Sequence, residues 1–233
     1  MTHPVMIFAA GLGTRMGALT ADRPKPLLPV AGRTLLDHAL TIARAARPPR
    51  IVVNIHAHAA QIEAHLARTA PDVLVSHEPE RLETGGGLRR ALPLLADAPV
   101  FTLNADALWT PPNPLDLLAR AWDPSRMTAL LALVPREAAR AHPGPGDFFL
   151  DAGGRLTHRG DAAEAPFVFT GAQFLDPGGL TAVDEDAFSL WRLWQPLLTA
   201  GRLHGVVHPG PWVDVGTPAG LAAAEALAAA NAR

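Results

Sequence analysis

The chain is 233 residues long with 48% hydrophobic and 18% charged side chains, which suits one α/β unit with a sizeable core and excludes disordered, collagen-like and coiled-coil chains. A formal charge of −2 offers no electrostatic footprint for nucleic acid or an anionic membrane, so neither partner is expected and any bound phosphate belongs to a small ligand. Cysteine is absent, which removes disulfides, thiolate metal sites and a cysteine nucleophile and fits a reducing, cytoplasmic setting.

In chain order, residues 5–9 form an apolar run that reads as a buried first strand. The apolar stretch that contains it is too short for a signal-peptide core, and no apolar run of about 18 residues follows, so neither a leader nor a membrane span is expected. Thr34 opens a helix over 34–46 with Leu35, Leu36, Ala39, Leu40 and Ala43 on one face. A strand at 51–55, a helix at 61–68, a short strand at 73–75, a helix at 87–95 and a strand at 100–103 follow. A helix at 114–122 leads to a strand at 127–134. Residues 143–166 are rich in Gly, Pro and Asp and lose helical periodicity, as expected of a substrate-specific insertion on the sheet. The rest reads as a strand at 167–175, a helix at 190–200, extended segments at 203–208 and 212–215, and an Ala-rich closing helix at 219–230. This alternation predicts a mostly parallel sheet covered on both faces.

Gly11-Leu12-Gly13-Thr14-Arg15 follows the first strand, where glycines let backbone N–H groups approach a phosphate chain. A dinucleotide fingerprint needs a third glycine where Met16 stands, and the Gly-Lys-Ser/Thr close of a Walker loop is missing. Leu19-Thr20 and Pro24-Lys25-Pro26-Leu27-Leu28-Pro29-Val30 extend the segment into one contiguous pattern. In it the glycine amides, Arg15 and Lys25 are suited to surround a triphosphate, while the prolines stiffen the lysine's loop. Lys25 is the one lysine among 20 Lys and Arg residues, and a compact ammonium does not exchange with a planar guanidinium at a tight phosphate site.

Asp106, in Leu103-Asn104-Ala105-Asp106, and Asp214, in Trp212-Val213-Asp214-Val215-Gly216-Thr217, both sit at the ends of extended segments. Such carboxylates serve either as helix caps or as Mg²⁺ ligands. Glu83-Thr84-Gly85-Gly86-Gly87 precedes the helix at 87–95, so its amides are expected to meet a base edge, the alternative being a flexible turn and helix start. Asn54 ends a strand on the same edge. Among the ten histidines, His38, His56, His58, His65 and His77 show no metal-ligand constellation, and no Ser-His-Asp grouping has a nucleophile elbow.

The pattern from Gly11 to Val30, with Asn104-Ala105-Asp106 and Trp212-Val213-Asp214-Val215-Gly216-Thr217, resembles the sugar nucleotidyltransferase family. The resemblance implies a three-layer α/β/α fold with a mixed, mainly parallel sheet, Rossmann-like and GT-A-like, bearing a small substrate-binding insertion. It also implies a single domain over residues 1–233, with a nucleotide-binding half at about 1–110 and a sugar-binding half at about 111–233. Gly11, Gly13, Thr14, Arg15, Lys25, Asn54, Glu83, Gly85 and Gly86 would then bind the nucleotide, and Asn104, Asp147, Glu164, Thr170 and Gly171 the sugar. Asp106 and Asp214 would hold Mg²⁺ and, with Arg15 and Lys25, carry the catalysis.

Within that family, Leu82-Glu83-Thr84-Gly85-Gly86-Gly87, Arg90-Ala91-Leu92-Pro93-Leu94-Leu95, Gly146-Asp147-Phe148 and Phe188-Ser189-Leu190 are similar to members that uridylylate N-acetylmuramic acid 1-phosphate in peptidoglycan recycling. That implies UTP and a sugar 1-phosphate as substrates and implies no protein partner. Another hexose-1-phosphate nucleotidyltransferase, and a non-catalytic nucleotide-sugar sensor, are the alternatives. Ala18 stands where the family has proline and Ala105 where it has glycine. Glu164-Ala165-Pro166 lacks the lysine of the family's Glu-Lys-Pro, leaving the sugar phosphate's counter-charge to Mg²⁺ or an arginine. Arg159, Arg192 and Arg202 are the candidate partners of a muramate carboxylate.

Overall fold

Val5 and Ile7 point to one side of their strand and Met6 to the other, and all three are fully buried, so this strand needs apolar cover on both faces. The computed structural model, which describes residues 3–96 and 99–231, supplies that cover with helices on each side of a central sheet. Along the first half run β1 (Val5–Phe8), a small hairpin of β2 (Pro29–Val30) and β3 (Arg33–Thr34), α1 (Leu35–Ala45), β4 (Ile51–Ile55), α2 (Ala59–Thr69), β5 (Leu74–His77), α3 (Glu83–Leu95), β6 (Val100–Asn104) and β7 (Ala107–Trp109). The second half contains α4 (Pro114–Ala121), β8 (Ala129–Pro135), β9 (Ala139–Arg140), β10 (Phe148–Leu150), β11 (Leu156–His158), β12 (Phe167–Leu175), α5 (Trp191–Thr199), β13 (Leu203–Val207), β14 (Trp212–Asp214) and α6 (Pro218–Asn231).

β1 lies between β4 and β6 and is parallel to both, and β5 extends the parallel run. β12 then pairs antiparallel with β6 and β8, while β13 joins β8 in parallel, so the nine-stranded main sheet is mixed. Residues 143–166 carry the hairpin of β10 and β11, which continues the main sheet beside β12. β7, β14 and β9 form a separate three-stranded sheet. One face of the main sheet packs Leu36 and Leu40 of α1, Leu66 of α2 and Leu118 of α4 against Val53, Phe101 and Leu103. The other packs Leu88 and Leu95 of α3 and Leu193 of α5 against Met6, Val52 and Leu131. α6 lays Ala224 and Leu227 on Leu108 and Val213 of the small sheet and on Val215 just after it, fixing where that sheet sits. The carboxyl ends of β1, β4, β5 and β6 therefore face one edge, the position at which open α/β sheets bind ligands.

Two expectations are corrected here. The helix predicted from residue 87 begins at Glu83, because the glycines form its first turn and not a loop before it. The strands β2, β3, β7 and β9 were not anticipated, since two or three residues are too few to show a period. The segment after Gly13 folds into 3-10 turns over Thr14–Thr20, and Lys25–Leu27 forms another between prolines.

Thr34 caps α1 as half of a capping box with Asp37, and the Asp37 carboxylate also meets His65 of α2 at 2.8 Å. Burial pushes the Asp37 carboxyl up, but the hydrogen bonds from His65 and Thr34 outweigh it and hold it below its ordinary value. A lowered carboxyl stabilises the fold above its unfolded pKa, and that contribution is lost as pH falls through the folded value. Thr34→Ala is expected to lower stability by about 1 kcal/mol in urea denaturation. The advantage of the native protein over Asp37→Asn should shrink as the medium is acidified below the ordinary aspartate range, and a difference independent of pH would show that no charge pair operates there.

Candidate active site

A cleft of about 350 Å³ opens where β1, β4 and β6 end. Ala9 and Ala10 leave β1 along its floor, Asn104, Ala105 and Asp106 leave β6 beside them, Gly11, Leu12 and Lys25 close one flank, and Glu83 and Thr84 another. The strand ends are tied together by side chains. Asn54 accepts the Ala9 N–H through Oδ1 at 2.8 Å and donates through Nδ2 to Glu78 Oε1 at 2.6 Å. Glu78 Oε2 in turn accepts the Leu82 N–H at 3.1 Å, just before α3. Asn54 thus lines the cleft with its amide already engaged, holding the loop after β1 in place.

Lys25 is drawn in at the start of its 3-10 turn, where its ammonium reaches Asp106 Oδ2 at 2.5 Å with the lysine side chain only 10% exposed. Asp106 leaves β6 just as Asp214 ends β14. The Val215 N–H donates to the Asp106 carbonyl at 2.9 Å, so the two aspartates occupy adjoining rungs of one ladder. A methyl group added to Gly216 would strike both the Arg15 guanidinium and the Asp214 carboxylate, so Arg15 and Asp214 lie side by side over that glycine. His142 Nδ1 stands 3.1 Å from Asp214 Oδ2. Asp147 accepts the Phe169 N–H at 2.8 Å.

Several predicted site residues stand elsewhere or do other work. The Gly85 and Gly86 N–H groups are not free for a base edge, because both donate to the Phe188 carbonyl, at 2.8 and 3.0 Å. A Cβ on Gly86 would lie 2.2 Å from the Asp186 carbonyl oxygen, so this glycine permits a backbone crossing. Thr170 is buried with its hydroxyl donating to the Ala132 carbonyl at 2.6 Å, turned into the sheet. Gly171, at φ 87° in a bulge of β12, leaves the space that the Asn104 side chain fills. Glu164 pairs with Arg136 at 2.7 Å and is 60% exposed, outside the residues that line the cleft. Gly13 and Thr14 adjoin the cleft through Gly11 and Leu12 without lining it, and Arg15, Asp147 and Asp214 also stand outside its lining. Arg159 is spent on the carbonyls of Gly146, Gly160 and Ala162, Arg202 on those of Pro124, Ser125 and Met127, and Arg192 pairs with Glu185.

Reading the sequence missed Glu78, Arg81 and His142, and named Thr84 and Ser189 only as members of motifs, without a role of their own. Glu78 carried one usable signal, an acidic residue ending a strand before Pro79. His142 lies in a Pro- and Gly-rich stretch with none. Glu83 lines the cleft at φ 60°, a left-handed conformation that costs a non-glycine residue energy and gathers at binding sites. Its carboxylate meets Arg81 at 2.6 Å.

Each carboxylate has a cation beside it, Lys25 at Asp106 and Arg15 at Asp214, a balance of charge that suits a polyanionic ligand brought in with a divalent cation. Among the described residues no group of three or more His, Cys, Asp or Glu side chains is arranged to hold a metal. This donor set therefore fails a closed structural zinc site and fits Mg²⁺, which takes one or two carboxylates and completes its shell from substrate phosphates and water. No helix among the described residues is long and apolar enough to cross a membrane.

The profile of the MobA-like NTP transferase domain matches residues 5–208. The chain is 42% identical over 229 residues, 95% of each chain, to an N-acetylmuramate alpha-1-phosphate uridylyltransferase of Caulobacter vibrioides. It is 34% identical over 239 residues, 97% of this chain and 98% of the other, to a protein of the same name from Neisseria meningitidis. In fold it resembles HddC from Yersinia pseudotuberculosis complexed with GMP-PN, with a TM-score of 0.78 at 19% identity over 97% of this chain and 99% of that one.

The hydrogen bond with Asp214 raises the His142 pKa above its ordinary value, burial opposes it, the charges of Asp214 and Asp147 add to it, and Arg15 subtracts. The charged pair is therefore present below that raised pKa and lost as pH rises through it. In an NMR titration His142 should titrate above the ordinary histidine value and move down in Asp214→Asn. An unmoved titration would show that Asp214 does not set it.

Proposed function

The chain belongs to the MobA-like NTP transferase domain family, and on that premise we propose that it transfers the uridylyl group of UTP to N-acetylmuramic acid 1-phosphate, giving UDP-N-acetylmuramic acid and pyrophosphate for peptidoglycan recycling. Similarity along nearly the whole chain to the Caulobacter and Neisseria uridylyltransferases supports the choice of substrates. The observation that carries the chemistry is the Lys25 and Asp106 pair at the strand-end cleft, with Asp214 on the adjoining rung. A cytoplasmic setting belongs to the same reading, since the donor is a soluble nucleotide and no cysteine calls for oxidation.

In the proposed reaction an oxygen of the acceptor's phosphate forms a bond to the α-phosphorus as the bond from that phosphorus to the departing pyrophosphate breaks. The nucleophile is already anionic near neutral pH, so no general base is needed, and the barrier lies in bringing two polyanions together in line. Lys25 and Arg15 neutralise the α-phosphoryl oxygens and the leaving pyrophosphate, Lys25 exchanging the Asp106 carboxylate for phosphate oxygens as the donor enters. Backbone N–H groups of the loop from Gly11 to Thr14 support the phosphate chain. Asn104 and Asp147 orient the acceptor, Asp147 with one oxygen occupied by the Phe169 N–H and the other available. Asp106 and Asp214 would hold Mg²⁺, which when bound supplies positive charge that shields and polarises the reacting phosphates.

Incubation with labelled UTP, N-acetylmuramic acid 1-phosphate and Mg²⁺ should yield labelled UDP-N-acetylmuramic acid, and chelation should abolish it. Lys25→Arg keeps the charge and loses the compact ammonium, so turnover should fall roughly a hundred- to thousandfold. Near-normal turnover of that variant would remove Lys25 from the reaction, and no transfer by the native protein would overturn the substrate assignment.

A further inference from the structure

A second cavity, of about 140 Å³, adjoins the cleft and shares Phe8, Thr84, Asn104 and Ser189 with it. Its other walls are Leu190, Trp191, Trp194 and Phe169, and its buried polar lining residue is Gln173. Gln173 is 1% exposed, donates through Nε2 to Thr102 Oγ1 at 3.0 Å and accepts the Trp194 indole N–H through Oε1 at 3.1 Å. A side-chain amide has two N–H groups and two carbonyl lone pairs, so one of each remains unused in a residue that borders an aromatic space. Buried amides normally fill that capacity, and a small acyl amide in this space can offer its carbonyl to the spare N–H or its N–H to the spare lone pair.

We propose that this cavity is the acyl pocket of the acceptor site, taking the 2-acetamido group of the sugar 1-phosphate, with the spare N–H of Gln173 donating to its carbonyl and Trp191, Trp194 and Phe169 enclosing its methyl. The assignment rests on the acceptor named above. The space is a few water volumes, enough for a small acyl group. No cationic side chain lines it, so the lactyl carboxylate of a muramic acid would be desolvated there without a partner and must lie elsewhere. Trp194 is a positioning residue for the Gln173 carbonyl as well as a wall.

The test compares kcat/KM for N-acetylmuramic acid 1-phosphate with that for the same lactyl sugar carrying a hydroxyl at carbon 2, using UTP and Mg²⁺. A pocket that hydrogen-bonds a substrate amide should favour the acetamido sugar by about a hundredfold or more. Gln173→Leu should cut that ratio at least tenfold. Trp194→Phe, which keeps an aromatic ring and removes the N–H to Gln173, should cut it too, and serves if the first variant does not fold. A ratio unchanged in a folded variant, as judged by thermal unfolding, overturns the pocket while leaving the substrate assignment intact. If the native protein uses neither lactyl sugar, N-acetylglucosamine 1-phosphate is compared with glucose 1-phosphate. An acetamido preference that the variants lose then supports the pocket although the muramic reading has failed, and the lack of any such preference overturns the pocket.

Discussion

The hydrogen bond from the Val215 N–H to the Asp106 carbonyl is the junction on which the site depends. β6 delivers Asp106 from the centre of the main sheet, and β14 delivers Asp214 from a small sheet built late in the chain. Neither strand alone creates a place for a charged ligand. The small sheet is held where it is by apolar contact, with Leu108, Val213 and Val215 buried beneath α6. Burial of Ala224 and Leu227, remote from any phosphate chemistry, therefore fixes the backbone that carries the two aspartates. Backbone ladders suit this task because their spacing varies little, whereas two flexible side chains would have to be ordered at an entropic cost.

Much of this was legible wherever one physical cause dominated. β4 and β12 fall on their expected residues because stretches dominated by Ile, Val and Phe read as strands even with Asn54, or with Thr170 and Gln173, among them. Lys25 stood out because arginine serves at every other basic position, which leaves the one compact ammonium conspicuous. Gly85, Gly86 and Thr170 misled for the opposite reason. A glycine lets any backbone come close, and nothing local says whether the visitor is a ligand or, as here, the Phe188 to Asp186 stretch. A threonine hydroxyl bonds as readily to the Ala132 carbonyl inside the sheet as to a sugar. Glu78 and His142 acquire their partners only through tertiary contact, with Asn54 on another strand and with Asp214 near the end of the chain.

Charge balance explains the arrangement of the cleft better than any single contact. An ammonium as enclosed as Lys25 is costly without a counter-ion, and Asp106 provides one. The same carboxylate suits a divalent cation, so on the proposed reading the ligand-free pair is two halves of the machinery neutralising each other. Donor binding then exchanges one set of charge pairs for another and exposes no unpaired charge. The neighbouring His142 and Asp214 contact follows the same logic with a titratable partner, so the second carboxylate is also satisfied until a ligand arrives.

The two cavities share walls, and the shared walls are the most firmly tied parts of the site. The Phe188 carbonyl takes the Gly85 and Gly86 N–H groups, the Phe188 N–H reaches the Leu82 carbonyl, and the Leu190 N–H reaches Thr84 Oγ1. Arg89 adds bonds to the carbonyls of Val183 and Glu185 and lies over the Phe188 ring at 4.9 Å. Ser189 is thereby held between the cleft and the aromatic pocket, while Asn104 is seated from the other side by the bulge at Gly171. A wall fixed by backbone bonds on both flanks cannot shift toward one ligand without disturbing the other. Under the proposed function that rigidity has a purpose, because in-line transfer requires the acceptor phosphate and the α-phosphorus to meet within a narrow range of distance and angle. A partition stiff enough to hold that range removes one source of misalignment before either substrate binds.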